Sequence, residues 1–156
     1  MAGSEKTGYE NSTDHLLENA YYIVTPPEGK NSSRPQDLSS NAERIVAVAK
    51  TIGAIPLVLD YREHDKVVAA ISHLPHLVAS SLVNLIKDHD TADGTMKQVA
   101  AGGFKDITRI ASSSPEMWEQ ICMTNVDPIS DILEAYIASL NKVLEEIREP
   151  KGQDIY

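Results

Sequence analysis

From Asp60 onward the chain offers no β-prone run. Apolar residues recur there every third or fourth position as far as Glu149, so this part must fold by packing helices. Asp65 is placed to cap a helix running to about Asp88, with Val67, Ile71, Leu74, Val78, Leu82 and Ile86 on one face. His89 to Gly94 reads as a polar turn. A helix over Thr95–Ala101 is expected to break at Gly102-Gly103 and resume through Ile107 to Ala111. Ser114-Pro115-Glu116 is a strong helix start: a capping hydroxyl, a proline at the first helical position and an acid in the first turn. That helix should end near Asn125, which can cap a last long helix with Pro128 in its first turn. Its apolar stripe, Ile129, Leu133, Tyr136, Ile137, Leu140, Val143, Leu144 and Ile147, is wide for a lone surface helix. Core packing and a dimer seam are both open readings of it.

The first sixty residues differ. Met1–Asn19 reads as loop, and Ala20–Thr25 as a strand closed by Pro26-Pro27. Glu28–Asp37 reads as an exposed loop. Leu38, Ala42, Ile45, Val46 and Ala49 mark a helix stopped by Gly53, and Ile55–Asp60 is a second strand. Strand, helix, strand is an α/β unit. Two strands alone make a marginal sheet, so the α/β part looks like the end of something larger.

Composition narrows the partners. The formal net charge of -9 repels nucleic-acid backbones, and no basic patch offsets it. Cys122, the single cysteine, permits no intrachain disulfide and sits in a helical setting that suits a small hydrophobe. No uninterrupted apolar run nears the ~20 residues of a membrane span. Residues 1–20 lack a signal-peptide pattern, so a cytoplasmic protein is expected.

Several residues carry possible chemistry. His73 and His76 share a helix face, with Pro75 between them removing a backbone donor. They are either a kinked site or two hydrogen-bonded core histidines. His-x-x-His without a third ligand is thin support for zinc. Arg109 follows Gly102-Gly103 by a few residues; paired glycines admit close backbone approach and a guanidinium suits a carboxylate. A solvated Arg109 paired with Asp106 fits the spacing equally well. Trp118, the only tryptophan, is either a core or a ligand-wall residue. No G-x-G-x-x-G, P-loop or nucleophile elbow occurs.

Four motifs in order resemble prephenate dehydrogenases. Met1-Ala2-Gly3-Ser4-Glu5-Lys6-Thr7-Gly8 is similar to a family motif whose leading His-Pro would lie just before Met1. Glu63-His64-Asp65 with Ser72-His73-Leu74-Pro75-His76, then Gly102 to Ala111, then Pro115 to Trp118 follow. The family carries out NAD-dependent oxidative decarboxylation of prephenate to 4-hydroxyphenylpyruvate in tyrosine biosynthesis. The resemblance implies a mainly α fold. It comprises an all-helical dimerisation domain, like the C-terminal domain of 6-phosphogluconate dehydrogenase, preceded by a small α/β remnant of a Rossmann-type domain. Residues 1–62 would be that remnant, 63–149 the helical substrate-binding and dimerisation domain, and 150–156 a cut tail.

By the same resemblance Arg109 holds a substrate carboxylate, and His76 meets the substrate side chain or inhibitory tyrosine. Ser4 lies near substrate, Gly102 and Gly103 leave room for it, and Trp118 forms a wall. His73, Glu5 and Asp106 support or gate the site. The catalytic histidine would precede Met1. NAD belongs to the full-length family and is not expected to bind this chain alone, which is expected to be inactive. Prephenate or tyrosine, and a second copy through the helical domain, are the implied partners, without nucleic acid or membrane. An arogenate dehydrogenase part, or a non-catalytic tyrosine-binding helical dimer, are the rival readings.

Overall fold

The computed structural model describes residues 8–27 and 40–149. The chain divides into two compact units, Met1–His64 and Asp65–Tyr156.

In the first unit, β1 (Tyr21–Val24) and β2 (Ile55–Val58) pair in parallel, Tyr21 opposite Ile55 and Val24 opposite Val58. Parallel strands need a crossover, and α1 (Ser40–Thr51) supplies it. Pro56 has no amide proton to give, which suits a strand with one neighbour among the described residues. Val24, Ala42, Ala49 and Ala54 are buried, whereas Tyr21, Ile23, Ile55 and Leu57 on the strands are exposed. A parallel sheet normally has both faces covered, so these strands present surface that other structure would cover.

Helix α1 ends as expected at Gly53. Its φ of 77° is left-handed; the Gly53 amide donates to the Lys50 carbonyl and the Ala54 amide to the Ala49 carbonyl. These two bonds define a Schellman stop. An added Cβ would also lie 3.1 Å from Glu18 Cγ. Gly53→Ala is therefore expected to destabilise the first unit by about 1–2 kcal/mol, measurable as a lower urea midpoint at unchanged slope.

Among its described residues the second unit is helical apart from its connections. A continuous helical run, Tyr61–His89, contains α2 (Tyr61–Val68), a π-helical turn (Ala69–His73) and α3 (Leu74–His89). The start is five residues earlier than expected. Asp60, not Asp65, caps it, its Oδ1 accepting from the Arg62 amide at 2.9 Å. The π turn absorbs Pro75: the Leu74 amide reaches back five residues to the Ala69 carbonyl, just before the proline that cannot donate.

The run has no uninterrupted apolar stretch of membrane-spanning length, although its average is apolar. It holds an 18-residue window of mean hydropathy 1.3, long and apolar enough by itself to cross a membrane. Within the unit it packs instead against other helices and carries the buried His76.

After His89, Asp90 organises the turn. Its Oδ1 accepts from the Met96 amide and its Oδ2 from the Lys97 amide, so it caps α4 (Thr95–Val99) from outside the helix. These bonds hold its carboxyl below the usual carboxylate range. The chain then breaks at Ala100 and Ala101, and α5 (Gly102–Thr108) starts on the glycine pair. Gly102 and Gly103 thus open a helix; they do not interrupt one. A tight turn follows at Arg109–Ala111.

Helix α6 (Pro115–Thr124) begins as its sequence signal requires, the Ser114 hydroxyl accepting from the Met117 amide. Helix α7 (Val126–Arg148) completes the unit. On α7 only Ile129 is buried, whereas Ile137, Leu140, Val143, Leu144 and Ile147 are exposed. The core-packing reading therefore fails for these five. The buried apolar residues of this unit among those described are Ala69, Ala79 and Ile129, with no large side chain fully enclosed. Helices with so little of their own core need another surface to cover them.

Candidate functional site

Pro75 and the π turn place His73 and His76 side by side against α6. His76 is 7% exposed, and its ring lies flat on the Trp118 indole, centroids 3.5 Å apart and planes within 4°. His73 meets the same indole edge to face, at 5.9 Å and 87°. One indole thus meets a stacked imidazole and a perpendicular one.

Polar groups hold the imidazoles. The Ser80 hydroxyl, one turn along α3, lies 3.3 Å from His76 Nε2. Asn125 donates from Nδ2 to the Asp65 carbonyl at 2.9 Å and meets His73 Nδ1 at 3.2 Å. Burial pushes the His76 pKa below its ordinary 6.5, while a backbone hydrogen bond to Ile110 pulls the other way. His76 is therefore neutral at physiological pH.

A hollow of about 460 Å³ opens beside the stack, bordered by His76, Ser80, Asn84, Trp118, Glu119 and Cys122 among others. The indole Nε1 is buried and has no hydrogen-bond partner among the described residues. A flat aromatic wall, a neutral imidazole, a spare indole N–H and a few polar groups suit a ring-bearing small molecule with a polar end.

Because Trp118 is the only tryptophan, its emission reports on this stack. Lowering the pH is expected to quench it with a midpoint below 6.5, as an imidazolium forms on the indole face. The sign for stability follows. His76 resists protonation when folded, so stability is intact above 6.5 and falls as the pH drops below it. A midpoint at or above 6.5 in a fluorescence titration would contradict the burial of His76.

Of the residues singled out from sequence, the structure brings together His73, His76 and Trp118. Arg109, Asp106, Gly102 and Gly103 are exposed, and none of them borders the hollow. The turn bearing Arg109 does reach it, through Ile110 at His76 and Ala111 on the rim. Ser4 and Glu5 lie outside the described residues. Among the described residues no group of three His, Cys, Asp or Glu could hold a metal.

Sequence reading missed Ser80, Asn84, Glu119, Cys122 and the role of Asn125. A helical-wheel signal existed: 76, 80 and 84 share one face of α3, and 118, 122 and 125 one face of α6 and its end.

In architecture the chain matches solved dehydrogenases. Prephenate dehydrogenase from A. aeolicus, crystallised with hydroxyphenyl propionate and NAD+, superposes with a TM-score of 0.85 at 32% identity, over 99% of this chain and 52% of that one. The chain belongs to the prephenate dehydrogenase family: residues 60–156 match the family model "Prephenate dehydrogenase, dimerization domain". Prephenate dehydrogenase of Bacillus subtilis is 36% identical over all of this chain and 40% of its own length. That of Lactococcus lactis is 32% identical over 99% of this chain and 40% of its own. The chain thus spans about half or less of the relatives it matches.

Proposed function

We propose that this chain supplies the substrate-binding and dimerising part of an enzyme that oxidatively decarboxylates prephenate with NAD. The observation that carries the reading is the hollow walled by stacked His76 and Trp118, in a chain of this family. Its flat wall suits the six-membered ring of the substrate, and the spare indole N–H and neutral His76 suit a polar substituent. Arg109, two residues before the rim at Ala111, would hold a carboxylate, with Gly102 and Gly103 leaving room. Among the described residues, a Cβ added at either glycine meets nothing within 4 Å beyond the adjacent residues and the helix's own nearby backbone. Asp106, Glu5 and Ser4 would complete the mouth, and His73 would support His76 through the indole.

The reaction removes hydride from the ring carbon bearing the hydroxyl to NAD. The carboxylate carbon leaves as carbon dioxide, its bonding electrons entering the ring, which becomes aromatic. These residues contain no glycine-rich phosphate cradle, so the dinucleotide would be held by others. The 156-residue polypeptide alone is accordingly expected to give no turnover. Two copies would associate through the exposed stripe of α7, consistent with the dimerisation domain the family model describes. A cytoplasmic site of action goes with this biosynthetic role.

The ligand of the A. aeolicus enzyme tests the reading directly. Titrating this chain with hydroxyphenyl propionate should change Trp118 emission saturably, and Arg109→Ala should weaken that response at least tenfold. No emission change at millimolar ligand, with the chain folded, would remove the substrate-site assignment. NADH formation from prephenate by this chain alone would overturn the expected inactivity, and prephenate and arogenate compared on the whole enzyme would assign the substrate.

A further inference from the structure

Asn125 occupies the N-cap position of α7, where an asparagine side chain ordinarily accepts from the helix's first amides. Here it makes no such bond. The residue is buried, 8% exposed, and its amide turns away from the helix it precedes. Nδ2 donates to the Asp65 carbonyl, in the last turn of α2, and its second hydrogen faces His73 Nδ1 at 3.2 Å. Helix α7 forgoes a side-chain cap so that this amide can reach the π-helical turn.

The geometry fixes the chemistry of the contact. A carbonyl only accepts, so the Asp65 bond orients the amide with its nitrogen inward. An amide nitrogen only donates, so His73 Nδ1 must be the acceptor and its ring proton must sit on Nε2. His73 in turn abuts the Trp118 indole edge to face, and the indole carries His76 on its flat side. A chain of contacts therefore runs from Asn125 to the imidazole at the hollow, without Asn125 touching the hollow itself.

We propose that Asn125 is a positioning residue: it sets the His73 tautomer and ring plane, and through them the plane of the Trp118–His76 stack that walls the ligand hollow. The consequence for ligand binding rests on the substrate-site reading above; the effect on the rings does not.

The test uses the whole 156-residue chain with ¹⁵N-labelled histidine, where long-range proton–nitrogen spectra show which ring nitrogen carries the proton. Wild type is expected to show His73 protonated on Nε2. Asn125→Asp cannot donate to Nδ1 and should move the proton to Nδ1, while Asn125→Ser should leave a tautomer mixture. Asp and Ser are both good N-cap residues, so a purely structural cap role would survive in each. Both variants should also shift Trp118 emission and weaken hydroxyphenyl propionate binding about tenfold, with helical circular dichroism unchanged. A wild-type His73 protonated on Nδ1, or an Asn125→Ser chain with unaltered tautomer and emission, overturns the inference. Ring shifts as expected in a chain whose wild type binds no hydroxyphenyl propionate uphold the positioning of the stack and overturn the substrate reading alone.

Discussion

Glutamates at Leu140 and Leu144 are expected to abolish the self-association proposed for this chain. Ile137, Leu140, Leu144 and Ile147 follow one another at spacings of three, four and three residues, a helix-seam period, and all are about 40–60% exposed. Covering the free half of each such side chain stabilises by roughly 1 kcal/mol. With Val143, and counted in both copies, the stripe offers on the order of 10 kcal/mol, comparable with the roughly 4–15 kcal/mol that association costs. The margin is small enough to reverse. In a two-fold assembly each substitution counts twice, and a carboxylate in a closed apolar seam adds several kcal/mol of desolvation. Self-association measured by sedimentation velocity should weaken at least a hundredfold, whereas Lys142→Glu, at an exposed position between the seam residues, should leave it near wild type. An unchanged sedimentation coefficient for the double variant would remove the α7 stripe as the proposed seam.

Trp118→Ala is the second large effect. The indole stacks on His76, meets the edge of His73 and borders the hollow, so its loss removes three relationships at once. Because it is only partly buried, about 2–3 kcal/mol is expected, toward the low end of aromatic truncations. The sharper sign is electrostatic. The largest cause of the depressed His76 pKa is burial, and removing the indole admits water to that ring. The His76 titration, followed by proton NMR, should rise toward 6.5 in the variant. A His76 that titrates unchanged would mean that other neighbours, not the stack, keep it dry.

Much of the fold was legible because the period of the apolar residues is a local property. Ser114-Pro115 announced α6 and Gly53 ended α1, each through bonds spanning only a few residues. Errors arose where two local signals competed. Gly102-Gly103 looked like a break, but the extended Ala100 and Ala101 made the break and left the glycines to start α5. Asp65 looked like a cap because an acid preceded an apolar stripe, yet Asp60 caps the helix five residues earlier. For the site, His73, His76 and Trp118 could be named from sequence, but their mutual stacking could not. It depends on a contact between α3 and α6 some forty residues apart. Asn125 was legible only as a cap, since its bond to His73 spans 52 residues. Arg109 was assigned on spacing and family motif, and it is exposed and does not border the hollow.

The π turn at Ala69–His73 amounts to one residue more than a regular helix would need. Each residue of an α-helix turns the next by about 100°, so this single surplus position sets the azimuth of everything after it. Deleting Ala70 would leave Pro75 inside a regular α-helical ladder and rotate His76, Ser80 and Asn84 together away from α6. The aim of that whole wall is thus stored in chain length as much as in side-chain chemistry, and residue-for-residue substitution cannot reproduce or erase it.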